Sequence, residues 1–219
     1  MTRATSVIGW LAALALAAGL VMGFGVAPRE ATQGNVQRIM YLHVPLAFVA
    51  EYVACSMILI ASIGYMWKRS RYADRIAHAS AEVGVLFTGL TIATGSIWGK
   101  PTWGTWWTWD ARITTVSILF LMFVAYLLLR AMADDPERAA RYAAVLGIIL
   151  ALNVPLVHFS VVWWRTLHQP PSLLRPGGSA MPASIMVPLF VNLVAYVLLY
   201  LYFLAKRARL LRLEEEAAA

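Results

Sequence analysis

Six stretches of the chain carry almost no charge: residues 6–26, 40–67, 79–98, 113–129, 142–159 and 184–205. Each comes close to the roughly 20 apolar residues that a helix needs to cross the hydrocarbon core of a bilayer. The pattern therefore predicts an all-α, polytopic membrane protein with six transmembrane helices. The first run follows Arg3 and ends near Gly25-Val26-Ala27, which resembles a secretory signal. Its length favours a retained span over a short signal core. The polar segments between runs are short connectors, including the turn Asp134-Asp135-Pro136-Glu137, and the C-terminal end is acidic at 214–216.

Composition narrows the picture. The 219 residues are 61% hydrophobic and 13% charged, with a mean hydropathy of +0.68, far from the quarter or so of charged residues in soluble domains. Intrinsic disorder is excluded for the same reason, and an intrachain disulfide framework is excluded because Cys55 is the only cysteine. The expectation is a single integral membrane domain over residues 1–219, without room for a large catalytic domain and without enzymatic activity. No phosphate-binding glycine loop is present, so an ATP-driven step requires another subunit.

Charge then sets orientation. With six spans, Arg3, Lys68, Arg69, Arg71, Arg75, Arg130, Arg138, Arg141, Lys206, Arg207, Arg209 and Arg212 fall on one side. Arg29, Arg38, Lys100, Arg112, Arg165 and Arg175 fall on the other, a split of 12 against 6 that uses all 18 basic residues. The positive-inside rule assigns the richer side, and both termini, to the cytoplasm. The net charge of +7 is thus a topology signal and does not call for nucleic acid.

The poorer side carries the chemistry. An outer loop at 98–112 contains Trp98, Trp103, Trp106, Trp107 and Trp109, and a third outer loop at 160–183 contains Trp163 and Trp164. An aromatic belt at the headgroup level accounts for interfacial tryptophans in general. A belt populates both interfaces, however, and here seven of nine tryptophans face one side. Trp103, Trp106 and Trp107 have i, i+3, i+4 spacing, so a helical segment there presents three indoles as one flat platform. Asp110 is expected to cap the fourth span, a role compatible with ligand contact. His43 and His168 lie on the same side, His158 at the outer end of the fifth span, and His78 near the opposite face. Imidazoles beside an indole platform suit haem, whose iron takes axial histidine and whose macrocycle needs apolar walls and cationic partners for its propionates. Arg38, Lys100, Arg112, Arg165 and Arg175 are the candidate cations. Covalent attachment is excluded because no Cys-x-x-Cys-His motif exists, and a zinc site is the weaker reading because no dense ligand cluster is visible. Glu82, four residues after His78, is expected to pair with it, and Glu51 to contact another helix or another subunit.

The stretch from Trp98 to Asp110, with Tyr41-Leu42-His43-Val44-Pro45 and Trp163-Trp164-Arg165-Thr166-Leu167-His168-Gln169, closely resembles the CcmC family of cytochrome c maturation, within the Trp-Trp-Asp domain group. The resemblance covers about residues 23–169; no motif matches the segment at 170–181. It implies a bacterial inner-membrane protein that presents haem at the periplasmic face and passes it to the periplasmic haem chaperone CcmE. The small membrane subunit CcmD and the ABC transporter subunits CcmA and CcmB are the implied partners. His43 and His168 match the family's axial haem ligands; Trp98, Trp103, Trp106, Trp107, Trp109 and Asp110 match its haem platform. His158 matches a motif position outside that ligand pair. The alternative is a bis-His, cytochrome b-type electron-transfer subunit, which calls for histidines spaced across the bilayer.

Overall fold

The computed structural model describes residues 3–169 and 181–218 and, among them, is built almost wholly from helices. Helix α1 (Arg3–Leu20) runs on through a π-helical turn, Val21–Val26. A 3₁₀ turn at Val36–Ile39, helix α2 (Met40–Phe48), a second π-helical turn at Val49–Ala54 and helix α3 (Cys55–Lys68) form one continuous rod. Helices α4 (Arg71–Trp103), α5 (Ala111–Met132), α6 (Pro136–Trp163) and α7 (Ala183–Ala218) follow. Among the described residues six helical stretches are long and apolar enough to cross a membrane, as the hydropathy pattern predicts.

Several helices outrun their apolar runs. Helix α4 begins at Arg71 and α7 continues through the acidic end of the chain. Hydropathy marks only the lipid-facing length, whereas a helix continues wherever its caps and side-chain pairs allow. Ser70 accepts a hydrogen bond from Ala73 N to start α4. The end of α7 is held by Arg75 to Glu215 at 2.8 Å and Arg212 to Glu216 at 2.7 Å. The turn before α6 works the same way: Asp135 accepts from Glu137 N, and Pro136 occupies the first helical position, where no N–H is needed.

α1 lies along α7, α3 packs on α4 and α6, and α5 packs on α4 and α6. The core where these helices meet contains Ile58, Phe87, Leu119, Phe123, Leu150 and Tyr200. Several polar groups inside the bundle are paired within the protein, as a bilayer favours. Ser80 Oγ donates to Ala54 O and shares a hydrogen bond with Tyr200 OH at 2.7 Å. Asn153 Nδ2 donates to Thr115 O at 3.0 Å. At the end of the bundle away from the tryptophan-rich segment, Arg130 grips Asp74 with two nitrogens, and Glu82 joins both His78, at 3.3 Å, and Arg207. The His78–Glu82 pair is thus present, with an arginine from α7 added to it.

Candidate functional site

The rod from Val36 to Lys68, α4 and α5 part at one end of the bundle around a cavity of about 280 Å³. His43, Trp98, Trp103, Trp106, Trp107, Arg112 and His168 all line it, together with Gln33, Glu51, Tyr52, Thr91 and Gly95. The volume lies near the lower end for small-molecule pockets, and its walls are mostly apolar with a few polar groups, as such pockets generally are.

His43 is buried on α2, and its orientation is set by α4. Its Nδ1 lies 3.1 Å from Thr94 Oγ1. The Thr94 hydroxyl proton is committed to Leu90 O at 2.7 Å, so the oxygen accepts and His43 Nδ1–H donates. In that tautomer Nε2 carries the lone pair, the arrangement found where a second partner orients a metal-binding imidazole. The ring fits against α4 because position 95 is glycine: a Cβ there would sit 3.0 Å from His43 Cε1. Trp98 meets His43 edge-on, with centroids 5.7 Å apart, and its indole N–H donates to Gln33 Oε1 at 2.9 Å.

His168 comes from the segment after α6. Its backbone N–H donates to Thr166 Oγ1 at 2.9 Å, and the Thr166 hydroxyl donates in turn to Asp110 Oδ2 at 2.8 Å. Leu167 N donates to the same carboxylate oxygen at 3.1 Å. Burial, reinforced by the nearby Arg112 cation, lowers the His168 pKa to about 4, so its imidazole is neutral at physiological pH. The rings of His43 and His168 stand 6.4 Å apart, tilted by 36°. Two metal–imidazole bonds of about 2 Å each, on opposite sides of one ion, place the ligand nitrogens about 4 Å apart and the ring centres roughly 6 Å apart. The pair has that spacing. Among the described residues no group of three His, Cys, Asp or Glu side chains forms a metal cluster.

The tryptophans are arranged differently from the helical platform that their spacing suggests. Gly104 takes a left-handed φ of 79° and ends α4 just after Trp103, its N–H capping Lys100 O. Residues 104–110 are irregular, so the non-helical segment is shorter than 98–112, and Trp106 and Trp107 reach the cavity from outside the helices. Trp103 lies 5.9 Å from the His168 ring. Trp107 Nε1 and Thr108 Oγ1 are buried without a protein partner. Trp109 is 76% exposed and outside the cavity lining, touching Trp107 edge-on. Asp110 is also outside the lining. It caps α5 through Ile113 N at 2.9 Å, as expected, and additionally tethers the His168 segment. Trp163 and Trp164 are exposed beside Phe159, away from the cavity, which suits an aromatic belt.

Of the five candidate cations, Arg112 alone among the described residues lines the cavity. Arg38 instead holds the end of the first span through Phe24 O and Ala27 O. Lys100 donates to Gly104 O, Arg165 is exposed, and Arg175 lies outside the described residues, as does the rest of 170–180 in the third outer loop. His158 is not in the lining; its Nδ1 shares a 2.7 Å hydrogen bond with Tyr52 OH. Thr94, Gln33 and Gly95 carry no signal in the sequence, since their roles exist only once α4 lies beside α2 and the chain before it.

Residues 1–219 match the profile of the CcmC family, heme exporter protein C. The chain is 46% identical over 211 residues to the heme exporter protein C of Bradyrhizobium diazoefficiens, covering 94% of this chain and 80% of the relative. It is 37% identical to that of Haemophilus influenzae, covering 98% and 87% respectively. The protein of that name from Escherichia coli K12 is 44% identical over 74% of this chain and 67% of the relative.

Proposed function

Since the chain belongs to the CcmC family of haem exporters in cytochrome c biogenesis, we propose that its cavity holds haem for delivery at the periplasmic face of the bacterial inner membrane. Haem is cargo here. His43 and His168 ligate its iron from opposite sides, Trp98, Trp103, Trp106 and Trp107 enclose the macrocycle, and Arg112 pairs with a propionate. The recipient is the periplasmic chaperone CcmE, and CcmD, CcmA and CcmB are the membrane and ATPase partners. Both termini lie in the cytoplasm. Trp109 and Asp110 support the site from outside the lining.

The observation that carries this reading is the convergence of two histidines from separate segments, at a spacing suited to one metal ion, inside an indole-lined cavity. His43 sits on a helix, whereas His168 hangs on a tethered segment, so ligation can be undone by moving one side. That suits a carrier. An electron-transfer subunit has less support, because His43 and His168 share one end of the bundle while His78 at the other is engaged by Glu82.

The test is to purify the protein in detergent, record its absorption spectrum, and mix it with haem-free CcmE. The expected result is a six-coordinate, bis-imidazole haem spectrum that decays as the chaperone gains haem. Protein that retains no haem overturns the proposal. A steric check accompanies it: Gly95→Val is expected to push the His43 ring aside and lower the haem content per protein at an unchanged elution profile.

A further inference from the structure

Among the described residues lining the cavity, Arg112 is the one cation and Glu51 the one anion, and they are bonded to each other. Glu51 is 2% exposed and sits in the π-helical turn at Val49–Ala54, inside a predicted span. Wide turns of this kind recur at functional sites, and an ionisable side chain within a span is rare unless it has a role there. Both Glu51 oxygens accept from Arg112 Nη2, at 3.1 and 3.2 Å, while Arg112 Nη1 donates to Val157 O at 2.7 Å. A guanidinium has five N–H groups. At least two therefore remain for a ligand in the cavity.

The pair matters for what happens when an anionic cargo arrives. Arginine stays protonated, so with Glu51 beside it the empty site is locally neutral, and a cargo carboxylate brings a second anion to one cation. Without the Glu51 charge the empty site is a partly buried, uncompensated cation, and the same carboxylate neutralises it. Removing Glu51 thus favours the loaded state, because an unpaired buried charge is costly and the cargo relieves it. This sign is opposite to that of an ordinary binding residue.

We propose that Glu51 is an internal competitor for Arg112 that weakens the grip on the cargo carboxylate and speeds its release. The proposal rests on the haem reading given above and adds the control of release at that site. Glu51 acts through Arg112 and is a positioning residue.

The experiment compares wild-type protein, Glu51→Gln and Glu51→Asp, each loaded with haem or with haem dimethyl ester, whose carboxylates are masked. Release is followed optically into excess apomyoglobin. Glu51→Gln is expected to release haem about tenfold more slowly, in line with charge changes at buried pairs appearing in dissociation rates, and to release the ester at the wild-type rate. Glu51→Asp keeps a shorter carboxylate and is expected to slow haem release by a smaller factor, which serves if the Gln variant fails to fold. Haem release from either variant that is as fast as wild type or faster, or equal slowing of haem and ester, overturns the role of Glu51. Wild-type protein that holds no haem in the same assay overturns the underlying haem reading and the inference with it.

Discussion

His43→Ala and His168→Ala are each expected to abolish the six-coordinate haem spectrum and to reduce haem retained through purification by about tenfold or more, with the double variant near zero. Under the proposed ligation each replacement removes one of two axial bonds and leaves the indole walls in place, so residual haem is expected to be five-coordinate and loosely held. The two positions differ in how they are supported. His43 is oriented by the relay from Nδ1 through Thr94 Oγ1 to Leu90 O, which points to Nε2 as the proposed ligating atom. Thr94→Val removes the acceptor while keeping the ring, and a loss of about tenfold in haem affinity is expected, at the low end for partners that orient a metal-bound histidine. Absorption spectra of the three variants, normalised to protein, check this. A six-coordinate spectrum retained by both single alanine variants rules out the pair as ligands.

How much of this was legible in the sequence follows from the range of each interaction. The six spans are a local property, because hydropathy averages over about 20 residues, and among the described residues six helices long and apolar enough to be them are present. The capping role of Asp110 is equally local, resting on the three residues that follow it. The helical spacing of the tryptophans holds only as far as Trp103: Gly104 in left-handed geometry stops α4, and Trp106 and Trp107 line the cavity from outside the helix. The choice among cations was out of reach. Arg38 and Arg112 look alike in sequence, and only packing commits Arg38 to the carbonyls of Phe24 and Ala27 while turning Arg112 toward the cavity and Glu51. Glu51 was conspicuous as an acid in a span, yet its partner lies 61 positions away.

Asp110 supplies the second large effect, and its two roles can be separated. One oxygen, Oδ1, caps α5, and the other, Oδ2, accepts from both Thr166 Oγ1 and Leu167 N, which in turn set the backbone at His168. Asp110→Ala loses everything at once. The missing cap costs about 1 kcal/mol, and the released 166–168 segment no longer holds its imidazole opposite His43, so haem retention is expected to fall nearly as far as in His168→Ala. Asp110→Asn is the sharper variant. Asparagine caps helices about as well as aspartate, so the carbonyl oxygen keeps Ile113 N and thermal stability stays close to wild type. Its amide nitrogen then stands where Oδ2 stood, and it is a donor facing the Leu167 N–H, also a donor. That contact is repulsive, and the tether fails. The expected outcome is a melting temperature within about 1 °C of wild type, less than the roughly 2–4 °C that 1 kcal/mol brings in a chain of this size, together with haem retention several-fold lower. Thermal unfolding and haem content measured on the same preparation check both halves. If Asp110→Asn keeps full haem content, the tether through Thr166 does not position His168; if stability and haem content fall together, the two roles are not separable.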